Sequence, residues 1–176
     1  SNRMLKLMHR GYTRERFTEL IDKLLDINLS MGIGTDIIVG FPGETEENFG
    51  ETLALCREIE FDNAFIFKYS QRRNTPAATM PGQLREEEIE SRHARLLKLV
   101  DEIRARKLSE QIGAELEVLV EGPSRRNPAR LEGRTRCNKI VVFEGSERHI
   151  GQIMKLRITE TTKTTLYGDS AIMNLN

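Results

Sequence analysis

From Thr13 to Ile27 the apolar residues Phe17, Leu20, Ile21, Leu24 and Leu25 recur at helical spacing, and Thr13 is of the type that caps a helix N-terminus. This predicts a helix over 13–27. Ile37-Ile38-Val39 is a β-branched run that ends abruptly in Gly40-Phe41-Pro42-Gly43, the pattern of a buried strand running into a tight loop. Thr45 then stands as an N-cap, Glu46 and Glu47 occupy a first turn where the helix dipole favours anions, and Phe49, Leu53, Cys56 and Ile59 form an inner stripe. After Asp62-Asn63, Phe65, Phe67 and Tyr69 alternate with Ala64, Ile66 and Lys68 as in a strand. The order helix, strand, helix, strand predicts a parallel α/β arrangement.

Such folds place their chemistry at the carboxyl ends of the strands, which makes 40–44 and 70–81 the candidate functional loops. From Leu84 a helical pattern runs to about Glu110, with Ile89, His93, Leu96, Leu97, Val100 and Ile103 inward. His93 lies on that apolar stripe and reads as a structural side chain rather than a ligand. Beyond Gly113 the period becomes two. Leu116, Val118 and Val120 alternate with glutamates, Ile140 to Phe143 is a short apolar run, and Ile153, Leu156 and Ile158 mark another strand with Lys155 and Arg157 outward. Leu166-Tyr167 begins a last one. Short strands separated by glycine-containing turns predict a small all-β barrel of the OB-like type. The fold class is therefore α/β followed by a small OB-like barrel, with the boundary near 111–113: residues 1–110 and 111–176.

Composition narrows the picture. Of 176 residues 38% are hydrophobic, and 27 Lys+Arg balance 27 Asp+Glu, which excludes a uniformly polybasic binder. The longest apolar run is far short of a membrane span and no basic-then-apolar leader pattern appears, so the sequence reads as soluble and cytoplasmic. The balance hides position. Arg125, Arg126, Arg130, Arg134, Arg136 and Lys139 face only Glu132 within the loop-rich stretch 125–139, a local balance of +5. That concentration suits the phosphates of a nucleic acid. A solvated charged face is the alternative reading.

Gly40-Phe41-Pro42-Gly43-Glu44 resembles a phosphate cradle only loosely, because no Lys-Ser/Thr follows and no G-x-G-x-x-G is present; a structural turn explains the glycines equally well. Asp36 and Glu44 are of the type that does acid–base work, but no nucleophile–base pair accompanies them. The two cysteines, Cys56 and Cys137, lie far apart in sequence and match no metal or cluster spacing, so each reads as a buried or half-buried thiol.

Several stretches in register resemble the radical SAM methylthiotransferases: Met8-His9-Arg10-Gly11-Tyr12-Thr13, then Thr35-Asp36-Ile37-Ile38-Val39-Gly40-Phe41-Pro42-Gly43-Glu44-Thr45, then Phe67-Lys68-Tyr69-Ser70 and Thr75-Pro76-Ala77-Ala78. Gly133-Arg134-Thr135-Arg136, Asn138-Lys139, Ile158-Thr159-Glu160-Thr161-Thr162 and Leu166-Tyr167-Gly168 resemble the TRAM domain of the family's tRNA branch. The resemblance implies the last strands and helices of a radical SAM partial β/α barrel, followed by a TRAM domain. It implies a methylthio group added to C2 of N6-dimethylallyladenosine beside the tRNA anticodon, with S-adenosylmethionine and two [4Fe–4S] clusters as cofactors and the anticodon stem-loop as partner.

One cluster in this family is held by Cys-x3-Cys-x2-Cys, and neither cluster's cysteine set occurs here, so this stretch alone is expected to be inactive. By the same resemblance Ile38, Gly40 and Glu44, with Phe67 and Tyr69, border S-adenosylmethionine; for Ile38 and Phe67 core packing is an equally good reading. Arg72 is expected at the anticodon loop, and Arg125, Arg126, Arg134, Arg136 and Lys139 on tRNA. Ser70-Gln71-Arg72-Arg73-Asn74 departs from the family's Ser-Pro-Arg-Pro-Gly; the lost prolines and glycine predict a looser loop. The family's branches acting on threonylcarbamoyl-adenosine or on a ribosomal protein, and a stand-alone RNA-binding module, are the other readings.

Overall fold

A computed structural model describes residues 1–170 of the chain. Thr13 caps as expected: its hydroxyl accepts the Arg16 N–H at 3.4 Å, and α2 runs Arg14–Ile27. It is preceded by α1, Asn2–Leu7, a two-turn helix whose single buried residue, Met4, gives no periodic signal in the sequence. Asn2 ties it to α2, its Oδ1 accepting the Arg14 N–H at 2.7 Å.

β1 (Gly34–Val39) and β2 (Asn63–Lys68) pair in parallel, Ile38 opposite Phe67, which demands a crossover; α3 (Glu46–Ile59) supplies it. Thr45 and Asn48 close a capping box at the start of α3, each side chain accepting the other's backbone N–H at 3.3 Å. The strand period of two divides the sheet. Val39, with Ile37, Ala64 and Ile66 at its margin, packs into a core of Ile21, Ile33, Phe49, Leu53, Cys56, Phe61, Leu96 and Val100. Asp36, Ile38, Phe65 and Phe67 are left on the exposed face. No third strand pairs with β1 or β2 among the described residues.

After β2 come the short helix α4 (Pro76–Thr79) and the long α5 (Glu86–Ser109). The inward stripe of α5 is rotated from the expectation: Arg92 is 2% exposed, while Leu97 is 42% exposed. Leu20 of α2 likewise points outward. The cause on α5 is electrostatic, because Arg92 meets the buried Glu44 beneath the helix.

The chain divides into two compact units, Ser1–Ile103 and the remainder from Arg104. In the second, β3 (Glu115–Pro123), β4 (Leu131–Thr135), β5 (Ile140–Phe143), β6 (Ile153–Thr161) and β7 (Leu166–Ser170) close in the order β3-β4-β5-β7-β6. Only β5 and β7 run parallel. Val118, Val120, Leu131, Val141, Phe143, Leu156, Ile158 and Leu166 fill the interior, with Leu108 of α5 packed on them. Within the loop-rich stretch 125–139 the structure forms β4. The apolar pattern does not mark it, because one of its inward residues is Gly133, where a Cβ would lie 2.7 Å from Val118 Cγ1 and closer still to the Leu119 carbonyl. β3 and β4 therefore pack too closely there for an apolar side chain to mark the strand.

Candidate functional site

The loop after β1 is built from internal bonds. Gly40 has φ +78°, and a Cβ there would meet Ile89 of α5 at 2.6 Å, so both conformation and space require glycine. The Gly40 N–H donates to Glu44 Oε1 (3.2 Å), the Gly43 N–H to the Gly82 carbonyl (2.8 Å) and the Glu44 N–H to the Phe41 carbonyl (3.0 Å). With these amides committed, the loop is a structural turn and not a phosphate cradle. Glu44 is equally committed: Arg92 Nη1 donates to its Oε1 at 2.6 Å and to its carbonyl at 3.0 Å. Arg92 also binds Glu88 and lies 3.8 Å from Glu46, and its guanidinium stands 5.8 Å from the Phe49 ring centroid. A carboxylate so held fixes the loop rather than shuttling protons. Arg3 secures the far side, donating to the Gly43 carbonyl at 2.6 Å and to Asn48 Oδ1 at 2.7 Å.

Neighbouring ion pairs at the surface shift ionisation in the expected directions. The hydrogen bond from Arg95 holds Glu46 below the usual carboxylate range, and the bond to Glu90 raises Lys68. These groups are exposed, and they order side chains more than they stabilise the fold.

Ile38 and Phe67 are side-by-side register partners on the open face of the sheet, 37% and 51% exposed. With Glu44 they help to line a cavity of about 300 Å³ whose other walls include Met4, Tyr12 and Asp36. Tyr69 extends the strand pairing, its N–H donating to the Val39 carbonyl at 2.8 Å; its ring meets Phe41 edge-on at 5.3 Å, and among the described residues its buried hydroxyl has no hydrogen-bond partner. The structure thus brings Ile38, Glu44 and Phe67 to one cavity, while Gly40 and Tyr69, just past the ends of β1 and β2, are not part of its lining.

In the 70–81 loop Asn74 adopts φ +63°, taking the permissive position a glycine would fill. Thr75 Oγ1 donates to the Arg72 carbonyl (2.8 Å) and Gln71 to the Ala78 carbonyl (2.6 Å). These bonds stand where the family has prolines, and they leave the Arg72 and Arg73 side chains exposed.

On the barrel the basic run is not alone. Glu132, Arg134 and Arg136 point outward from or beside β4, and carboxylates meet the arginines of the run: Glu121 of β3 lies 3.3 Å from Arg134, Glu117 of β3 2.9 Å from Arg136 and Glu144, just past β5, 3.5 Å from Arg130, while Arg125 pairs with Glu132 at 3.9 Å. The local excess of cations in space is smaller than the linear count of +5. Arg126 is exposed and Lys139 half-buried. Beyond the run, the outward Lys155 and Arg157 expected from the strand pattern join this face. Lys155 and Arg157 on β6 stand opposite Glu117 and Glu115 on the same outer face. The strand register adds which carboxylates they face.

Cys56 is buried in the α/β core and Cys137 is half-buried in the second unit. Burial pushes the Cys56 thiol up to about 11. Among the described residues no group of three or more His, Cys, Asp and Glu side chains is placed to hold a metal. His93 is structural, its Nε2 lying 3.1 Å from the Ile66 carbonyl. Among the described residues no helix is long and apolar enough to cross a membrane.

Residues 109–170 match the TRAM domain family. The chain is 48% identical over 169 residues to the tRNA-2-methylthio-N(6)-dimethylallyladenosine synthase of Moorella thermoacetica, covering 96% of the chain and 38% of that protein. It is 44% identical over 176 residues to the synthase of the same name from Methylacidiphilum infernorum, covering 100% and 38%, and 50% identical over 169 residues to that of Anoxybacillus flavithermus, covering 96% and 32%. The chain thus spans well under half the length of these relatives. With a TRAM match on the closed barrel and relatives matched along 96% of the chain or more, the chain is similar to the C-terminal portion of the tRNA-2-methylthio-N(6)-dimethylallyladenosine synthases.

Proposed function

We propose that the chain is the C-terminal portion of a radical SAM tRNA methylthiotransferase, with residues 1–110 completing a partial β/α barrel and 111–176 binding tRNA. The observation that carries this reading is the match along 96% of the chain at 48% identity, in the order that joins the α/β unit to the barrel. The substrate is then N6-dimethylallyladenosine beside the anticodon, and a tRNA substrate implies a cytoplasmic location.

The residues fit one implied cofactor and not the other. Ile38 and Phe67 form an exposed apolar pair at the carboxyl end of a parallel sheet, a surface suited to the adenine of S-adenosylmethionine. When bound, S-adenosylmethionine supplies a 5′-deoxyadenosyl radical. The chain's own residues hold that ring: Ile38 and Phe67 give the apolar contact, Gly40 sets the turn, and Glu44, clamped by Arg92, keeps the turn in place. Tyr69 extends the strand pairing beside them. The iron–sulfur clusters do not fit, because the two cysteines belong to different units and Cys56 is a buried, protonated thiol, whereas cluster ligands are thiolates. This chain alone does not perform the reaction.

Arg72, exposed on its loop, is the residue proposed to contact the anticodon loop. Arg134 and Arg136 exchange exposed glutamate partners for phosphates at little cost, since such ion pairs contribute about 0–1 kcal/mol, and Arg125, Arg126 and Lys139 add their charge to the same phosphates. Mass spectrometry of tRNA from cells lacking the whole gene tests the reading. The methylthio group should vanish from dimethylallyladenosine; its retention refutes the assignment. For the barrel, binding of the chain to tRNA across a salt series should weaken steeply, and Arg134→Gln should lower the log–log slope by about 1.

A further inference from the structure

β3 presents Glu115, Glu117, Leu119 and Glu121 outward, and β6 presents Ile153, Lys155 and Arg157. Two of these positions break the charged pattern, and they are register partners. Leu119 stands opposite Ile153 on one side and opposite Arg134 on the other, so Ile153, Leu119 and Arg134 form one row across three adjacent strands. Leu119 is 46% and Ile153 65% exposed. The row beside it carries Lys155, Glu117 and Arg136.

Single exposed aliphatic residues need no explanation, but a paired row bounded by cations does. It is one side chain wide on each strand, far smaller than the roughly 800 Å² per partner of a stable protein interface. It is sized for a flat ring. The guanidinium of Arg134 ends the row, held by exposed contacts to Glu121 (3.3 Å) and Asn138 Oδ1 (3.0 Å), and a guanidinium plane stacks readily on a base. Lys155, exposed one row away, suits the phosphate of the same nucleotide. Duplex RNA offers phosphates and hydroxyls but no base face; unpaired nucleotides offer both.

We infer that the Ile153–Leu119–Arg134 row is a platform on which an unpaired RNA base lies, so that the barrel selects single-stranded over duplex RNA. This rests on the RNA-binding reading above.

The test uses the 176-residue chain with two probes of equal phosphate number, an RNA hairpin with an unpaired loop and a blunt duplex, followed by fluorescence anisotropy. Both positions face outward on strands, so threonine keeps the barrel. Leu119→Thr with Ile153→Thr should weaken hairpin binding about tenfold, leave duplex binding unchanged and preserve the salt slope. Leu119→Tyr should tighten the hairpin complex, a gain that misfolding cannot produce. Unchanged hairpin affinity in both variants overturns the inference while leaving RNA binding intact. Equal losses on both probes, with no gain from tyrosine, overturn it as well. Unchanged RNA binding with loss of self-association in sedimentation would reassign the row to a protein partner and overturn it. A wild-type chain that binds neither RNA sinks the RNA-binding reading itself.

Discussion

The two β assemblies of this chain treat charge in opposite ways. The open sheet of β1 and β2 stands over a buried ion pair: Arg92 and Glu44 are nearly inaccessible, their geometry is close, and the carboxylate also takes an amide of the loop it fixes. The closed barrel keeps its ion pairs on the outside, where Arg134 and Arg136 meet Glu121 and Glu117 in solvent. A buried charge that loses its partner keeps its desolvation penalty, whereas an exposed one returns to water. The same type of bond therefore fixes a loop in one unit and leaves arginines free to change partners in the other.

Removing one member of each pair should break this comparison most sharply. Arg92→Met leaves Glu44 buried and unpaired, and should cost the α/β unit about 3–5 kcal/mol in urea denaturation. Arg92→Met combined with Glu44→Gln should recover a large part of that loss. Arg136→Gln on the barrel should cost under about 1 kcal/mol. Equal costs for Arg92→Met and Arg136→Gln would abolish the distinction.

Glycines sharpen it next. The barrel closes by pressing β4 onto β3, and Gly133→Ala would drive a Cβ toward the Leu119 carbonyl, a backbone atom that cannot rotate away. The expected cost is about 3 kcal/mol, read as a lowered melting temperature of the β signal. A melting temperature equal to wild type would show that the strands can separate locally without loss.

Legibility in the sequence followed side-chain chemistry. Thr13 and Thr45 announced their helices because a hydroxyl before an apolar stripe has one use there. The alternation from Leu116 to Val120 announced a barrel strand, and Gly133-Arg134-Thr135-Arg136 its family resemblance. What stayed hidden was whatever depends on a distant partner. Arg92 falls outside the apolar stripe of its helix, so its burial shows only once Glu44 lies beneath it, and β4 lacks an apolar mark where Gly133 is inward for lack of space. Glu117 and Glu121 temper the basic run only once β3 and β4 are in register. α1 buries one residue, too few to make a period.

The cysteines extend the comparison to reactivity. Cys56 lies in the α/β core with its thiol raised to about 11 by burial, against an ordinary value of 9.0; Cys137 is half-buried in the second unit. At pH 8, below both values, Cys56 carries roughly a hundredfold less thiolate than an unperturbed thiol, and the thiolate is the nucleophile. Iodoacetamide should modify Cys137 first and Cys56 only on unfolding, as mass spectrometry of the peptides would show. Equal labelling of both in the folded chain would place Cys56 outside the core.

The smallest effect comes from a glycine of the opposite kind. Gly50 lies inside α3, and a Cβ built on it meets nothing within 4 Å. Nothing in its surroundings requires glycine, so its main contribution is the extra freedom it gives the unfolded chain. Gly50→Ala should stabilise the α/β unit by about 0.5–1 kcal/mol, a rise of a few degrees in melting temperature. Set beside Gly133→Ala, the same one-carbon addition would then raise stability in the crossover helix and lower it in the barrel. The sign is decided by whether the space over the Cα is open or filled by a neighbouring strand. A loss on Gly50→Ala would mean that the exposed side of α3 is covered by something outside the described residues, and hydrogen exchange along α3 in the variant would then locate it.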